Sequence, residues 1–147
     1  KPVYRKANAV QLVANCVNST YLIIKAKAFM LLSYIVDEHE NETLKATDGS
    51  VSFILNLIIE ALRSKDHLGA TYRYSVAELL EAVIQLARHD NNKVKIGIQG
   101  GIYVICRVLI AAFSEEEQIL AAKALWSLSF VDINKEIIKL TDGGMKG

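Results

Sequence analysis

The sequence predicts an all-α fold assembled from repeated helical units. Three observations lead there. Proline occurs once, at Pro2, and glycine gathers at a few positions, so most of the chain can run as uninterrupted helix. Apolar residues recur at steps of three and four in segment after segment, the spacing of a helix with one buried stripe. The pattern also repeats: a shift of 42 residues carries Ala82, Val83 and Leu86 onto Ala124, Leu125 and Leu128, and Asn92-Lys93 onto Asn134-Lys135.

Taken in order, long helices are expected at 7–17, 20–36, 51–63, 73–88, 101–113 and 115–130, with shorter ones at 91–98 and 134–141. A shift of 51 places Leu31, Leu32 and Ile35 of the second segment on Ala82, Val83 and Leu86, and Gly49 on Gly100. The excess over 42 falls in a polar insert around Ser64 to Tyr72. Each unit has the same order: a helix striped with small residues and leucine, a polar turn with Asn, a short helix, then Gly and another apolar helix. The three turns are Glu40-Asn41-Glu42 leading to Asp48-Gly49-Ser50, Asn91-Asn92-Lys93 leading to Gln99-Gly100-Gly101, and Ile133-Asn134-Lys135 leading to Asp142-Gly143-Gly144. Glycine suits a sharp exit from a short helix because it accepts positive φ and close backbone approach.

Two helices carry further signals. Ser114 is placed to N-cap the helix opened by Glu115, Glu116 and Glu117, whose carboxylates favour the positive end of the helix dipole. Phe53 to Ile59 and Ile102 to Phe113 both carry an apolar excess, and in the second, where Arg107 is the only charge, apolar residues occupy almost all faces, so it is expected to be covered on several sides. The other reading of such a helix is an exposed docking face or self-association with a second copy.

The three-helix unit of about 42 residues, with Asn-Lys, then Gly100-Gly101-Ile102 and Val108-Leu109, then Ala121-Ala122-Lys123-Ala124-Leu125-Trp126-Ser127-Leu128, resembles the armadillo repeat. The likeness runs along essentially the whole chain, more loosely in Ser75 to Leu86 and in outline in Ala26 to Ile35. It implies a right-handed α-solenoid: a partial repeat at 1–36, repeats at 37–88 and 89–130, and a partial repeat at 131–147, in which each unit buries its apolar face on its neighbours. In that family the third helix of each repeat lines a concave groove that commonly holds an extended peptide. The positions corresponding to the groove residues are Met30, Tyr34, Glu81, Gln85, Lys123 and Ser127, a mixture that suits a ligand of mixed chemistry. None keeps the Trp and Asn pair with which nuclear-import adaptors hold basic peptides, and Trp126 stands three residues beyond that position. The resemblance thus implies a non-catalytic scaffold that binds a protein or peptide. The alternative it supports is a regulatory, autoinhibitory or ligand-sensing domain of a multidomain signalling protein such as a TIR-type effector.

Composition narrows the classes. With 147 residues, 52% of them hydrophobic and 22% charged, the chain is apolar enough for a packed core. The 17 basic and 16 acidic residues leave a net charge of +1 without a clustered basic face, which argues against nucleic acid as a partner. No apolar run reaches the roughly 20 residues of a membrane span. Cys16 and Cys106 sit among apolar residues and are expected as buried thiols, which fits a cytoplasmic or nuclear setting. His39, His67 and His89 lie far apart, at turns, without metal-ligand spacing, and are expected as solvated loop residues. No nucleophile–base arrangement or phosphate-binding loop stands out, so no enzyme activity, metal or cofactor is expected. The chain opens on Lys1 and stops soon after a glycine pair, and is expected to be cut from a larger protein.

Overall fold

A computed structural model of the chain describes residues 12, 13, 15, 16, 24, 27, 28, 31, 48–69 and 74–146. The isolated positions between 12 and 31 are helical, in agreement with the expected 7–17 and 20–36 helices. Six helices follow among the described residues: α1 (Asp48–Arg63), α2 (Val76–Leu86), α3 (Asp90–Ile98), α4 (Gly101–Ala111), α5 (Glu115–Leu128) and α6 (Asp132–Lys146). No β-strand is present among them, and no single helix is long and apolar enough to cross a membrane.

Local chemistry sets the helix starts. Ser75 and Glu78 form a capping box that opens α2: the Glu78 N–H donates to Ser75 Oγ at 3.0 Å, and the Ser75 N–H donates to Glu78 Oε1 at 3.3 Å. The helix therefore begins at Val76, not at residue 73. Ser114 Oγ accepts from the Glu117 N–H at 3.2 Å, so the expected cap of α5 is in place. His89 caps α3, its Nδ1 accepting from the Asn91 N–H at 3.2 Å. Between α3 and α4, whose axes bend by 76°, Gly100 adopts φ +91°, the left-handed conformation that glycine reaches without a Cβ clash. A Cβ on Gly101 would lie 2.6 Å from the Ile96 carbonyl, so the second glycine allows close approach of the two helices.

Two of the expected glycine turns are helical instead. Asp48, Gly49 and Ser50 form the first turn of α1, and α6 runs through Asp142, Gly143 and Gly144 to Lys146. Glycine accepts right-handed helix as readily as left-handed turns, so it permits a turn without requiring one.

Packing follows helices three apart in the chain: α4 lies on α1, α5 on α2, and α6 on α3. Consecutive helices complete the core, with α5 against α4 and α2 against α1. Ile54 and Ile58 of α1, Leu79, Leu80, Val83 and Leu86 of α2, Ile102, Ile105 and Val108 of α4, and Leu120 and Leu128 of α5 form one buried cluster. Ala121 and Ala124 are fully buried on α5, and their small side chains let it seat against α4 and α2 together. Ala82 and Ala124, one period apart, are both buried on contacting helices. Leu31, their expected equivalent, is instead 49% exposed and borders an open cleft with Leu12, Val13, Cys16, Ile24, Lys27 and Ala28.

The recurring Asn is a structural clamp. Asn92 Nδ2 donates to the Leu86 carbonyl at 3.1 Å, and Asn134 Nδ2 donates to the Leu128 carbonyl at 2.9 Å, each tying the last turn of one helix to the next. Asn134 Nδ2 also donates to the Lys93 carbonyl at 2.9 Å, joining α6 to α3. Gly97 makes room for it: a Cβ there would stand 1.8 Å from Asn134 Oδ1.

Candidate functional site

Four of the six positions predicted from sequence lie on α2 and α5, helices that pack on each other. Glu81 and Lys123 are exposed on the two contacting helices, one period apart, while Gln85 and Ser127 are half-buried one turn further along. Gln85 Oε1 accepts from Arg88 Nη1 at 3.4 Å, which ties that amide to the turn just after α2. Met30 and Tyr34 lie outside the described residues.

Sequence reasoning set Trp126 aside because it does not match the family position. It nevertheless stands on the same side of α5 as Lys123, three residues on, and is 68% exposed. Its ring meets Phe130 edge to face, with centroids 4.9 Å apart and planes at 83°. Phe130 is exposed as well, and Lys93 Nζ lies 5.8 Å from its ring centroid. The Lys93 ammonium also pairs with Asp90 at 2.8 Å, and this hydrogen bond and charge hold the Asp90 carboxyl below its ordinary value. Ile119, two turns before Trp126, extends the apolar strip along α5. The face therefore offers aromatic surface beside fixed charges of both signs. The signal available in the sequence was the i, i+3 step from Lys123 to Trp126, read on the helix and not against a family register.

Other residues occupy places unlike those expected. His67 is not a solvated loop residue: it is 7% exposed, at φ +54°, with Nδ1 2.8 Å from the carboxylate of Glu117, itself 3% exposed. The imidazole stacks on Phe113, with centroids 4.1 Å apart and planes at 16°. Burial of two polar groups requires mutual hydrogen bonding, and the pair supplies it. It also fastens the polar insert to the start of α5, and the insert closes on itself through the Gly69 N–H donating to the Tyr74 carbonyl at 2.9 Å. Glu117 thus does more than favour the helix dipole. His89 is half-buried as a cap, and His39 lies outside the described residues.

Cys16 is exposed and Cys106 half-buried, so neither is the fully covered thiol expected. The reason is positional: Cys16 lines the open cleft near Leu31, and Cys106 lies at the margin of the core on α4. The expected all-round burial of Ile102 to Phe113 fails too. Ile102, Val104, Ile105 and Val108 are covered by α1, α5 and α6, but Tyr103, Arg107, Leu109, Ile110 and Phe113 face out. Among the described residues, neighbours cover only one side of α4. Phe53 to Ile59 of α1 is covered, except for the exposed Asn56.

Among the described residues, no group of three or more His, Cys, Asp or Glu is placed to hold a metal ion. No family model, no curated protein and no solved structure matches the chain.

Proposed function

We propose that the chain is a non-catalytic interaction module, an armadillo-type right-handed solenoid with repeats at 37–88 and 89–130, that binds an extended segment of a protein along the α2–α5 face. The exposed Trp126–Phe130 pair beside Lys123 carries this reading. Large aromatic side chains left in water on a helix face are the usual energetic anchors of protein interfaces. Three further features support it. Helices three apart pack on one another. The Asn clamp returns after 42 residues, from Asn92 to Asn134. Glu81 and Lys123 present opposite charges at equivalent positions. The ligand is accordingly a peptide with an apolar anchor for Trp126 and both an acidic and a basic side chain.

Selection of a displayed peptide library against the whole chain, followed by titration calorimetry, tests the assignment. Binding of selected peptides should fall roughly tenfold or more in Trp126→Ala, the scale of an interface anchor, and change with peptide charge in Glu81→Lys and Lys123→Glu. Selected peptides that bind all three variants as they bind the wild type would remove the site from this face.

A further inference from the structure

A second cleft lies between α1 and α4, helices separate from the α2–α5 face. It encloses about 270 Å³ and is lined by Ile59, Leu62 and Arg63 of α1 and Tyr103, Val104, Arg107 and Ala111 of α4. The walls are apolar apart from the Tyr hydroxyl and two guanidinium groups. Arg63 and Arg107 are both exposed, and neither has a hydrogen-bond or ion-pair partner among the described residues. No carboxylate of the described residues lines the cleft. α4 contains no acidic residue, and of the two in α1, Asp48 stands at the opposite end while Glu60 Oε1 lies beside Gly69, 3.6 Å from where its Cβ would be. Beyond the cleft, Ile110 continues the exposed side of α4 at 67% exposure.

We infer that this cleft is a second docking site, which takes an acidic peptide segment by seating one apolar side chain between α1 and α4 and pairing flanking carboxylates with Arg63 and Arg107. Charge complementarity decides the occupant. Two unpaired guanidinium groups at an apolar cleft favour carboxylates, which each can bind through two parallel hydrogen bonds, and disfavour a basic segment. Size points the same way, because 270 Å³ falls just below the roughly 300–1,000 Å³ of pockets that enclose a small organic ligand. An apolar side chain anchored there, with its backbone left outside, fits that volume.

The test is fluorescence anisotropy of a labelled peptide with a central Phe-Leu pair flanked on both sides by Glu and Asp, titrated with the whole chain. Binding should weaken at least about tenfold in Arg63→Glu/Arg107→Glu and weaken with added salt, as screened ion pairs do. Arg63→Lys/Arg107→Lys keeps the charge but not the planar fork, and should show a smaller loss. Replacing Phe-Leu by Ser-Ser, or the acidic flanks by Lys, should abolish binding, and Trp126→Ala should leave it unchanged. Both arginines are exposed, so circular dichroism of the variants should match the wild type. The inference is overturned if the wild type does not bind the peptide, if the charge-reversed protein binds it equally, or if the Ser-Ser peptide binds as well. Loss of binding in Trp126→Ala would place the peptide on the α2–α5 face and equally overturn it.

Discussion

Replacing Gly97 and Asn134 separately and together by alanine tests whether one close contact joins α3 to α6. In Asn134→Ala the carbonyls of Leu128 and Lys93 lose their donor, each at 2.9 Å in the native protein. Leaving the helix-end Leu128 carbonyl unpaired in a covered place, at about 1–3 kcal/mol, and removing the second hydrogen bond at the Lys93 carbonyl, at about 1 kcal/mol, together cost about 3 kcal/mol. In Gly97→Ala the new methyl would stand 1.8 Å from Asn134 Oδ1 and 2.7 Å from its Cγ, so the amide must leave. The same two hydrogen bonds are lost, strain is added, and a gain of about 1 kcal/mol from the better helix former offsets part of it, again leaving about 3 kcal/mol. The double variant has already lost the amide, so the methyl added at position 97 meets no clash and the total stays near 2–3 kcal/mol in place of the roughly 6 expected for independent sites. Urea unfolding followed by circular dichroism measures all four proteins. Each single variant should also melt roughly 6–12 °C lower, at the 2–4 °C per kcal/mol typical of this chain length. Additive destabilisation in the double variant would refute the contact.

Other outcomes follow from the same geometry. Gly100→Ala places a side chain at φ +91° and should destabilise by about 1–2 kcal/mol in the same assay, with little change in Gly69→Ala, where a Cβ meets only ordinary contacts at 3.6 Å. Ser75→Ala removes one half of the α2 capping box and should cost about 1 kcal/mol. Glu117→Leu leaves His67 without its buried partner and should destabilise by about 1–3 kcal/mol, more than Glu115→Leu on the exposed side of the same turn. Asp90 should titrate below 3.8 by carboxyl NMR and return toward that value in Lys93→Met. Because its folded value is depressed, the small contribution of this exposed pair is present above the unfolded value and is lost as the pH falls through the folded one.

Much of the helical order was legible. The apolar steps of three and four and the Asn recurring after 42 residues are local signals: the stripe of Ala124, Leu125 and Leu128 marks a helix wherever it is read, and Asn92 and Asn134 act on carbonyls only six residues away. Helix ends were less legible. Gly49, Gly100 and Gly143 look alike in sequence, yet only Gly100 turns left-handed, because glycine permits the turn without requiring it. The candidate face was half legible. Glu81 and Lys123 follow from the period, whereas Trp126 was hidden by comparison with a family register that it does not keep.

The sequence by itself determined that the chain is helical, where most of the described helices lie, and that the Asn–carbonyl bond returns after 42 residues, since all three properties depend on neighbours within a few turns. Only the tertiary structure decided what is covered. His67 and Glu117 are 50 residues apart and meet because the insert folds onto the start of α5. Gly97 is small because Asn134 enters from α6. Tyr103 and Arg107 are exposed because α1 leaves a cleft beside them, and Ile110 because no described helix covers it. Burial depends on which distant surfaces arrive, and the periodicity of one helix records its own apolar residues without recording how many of them find a cover.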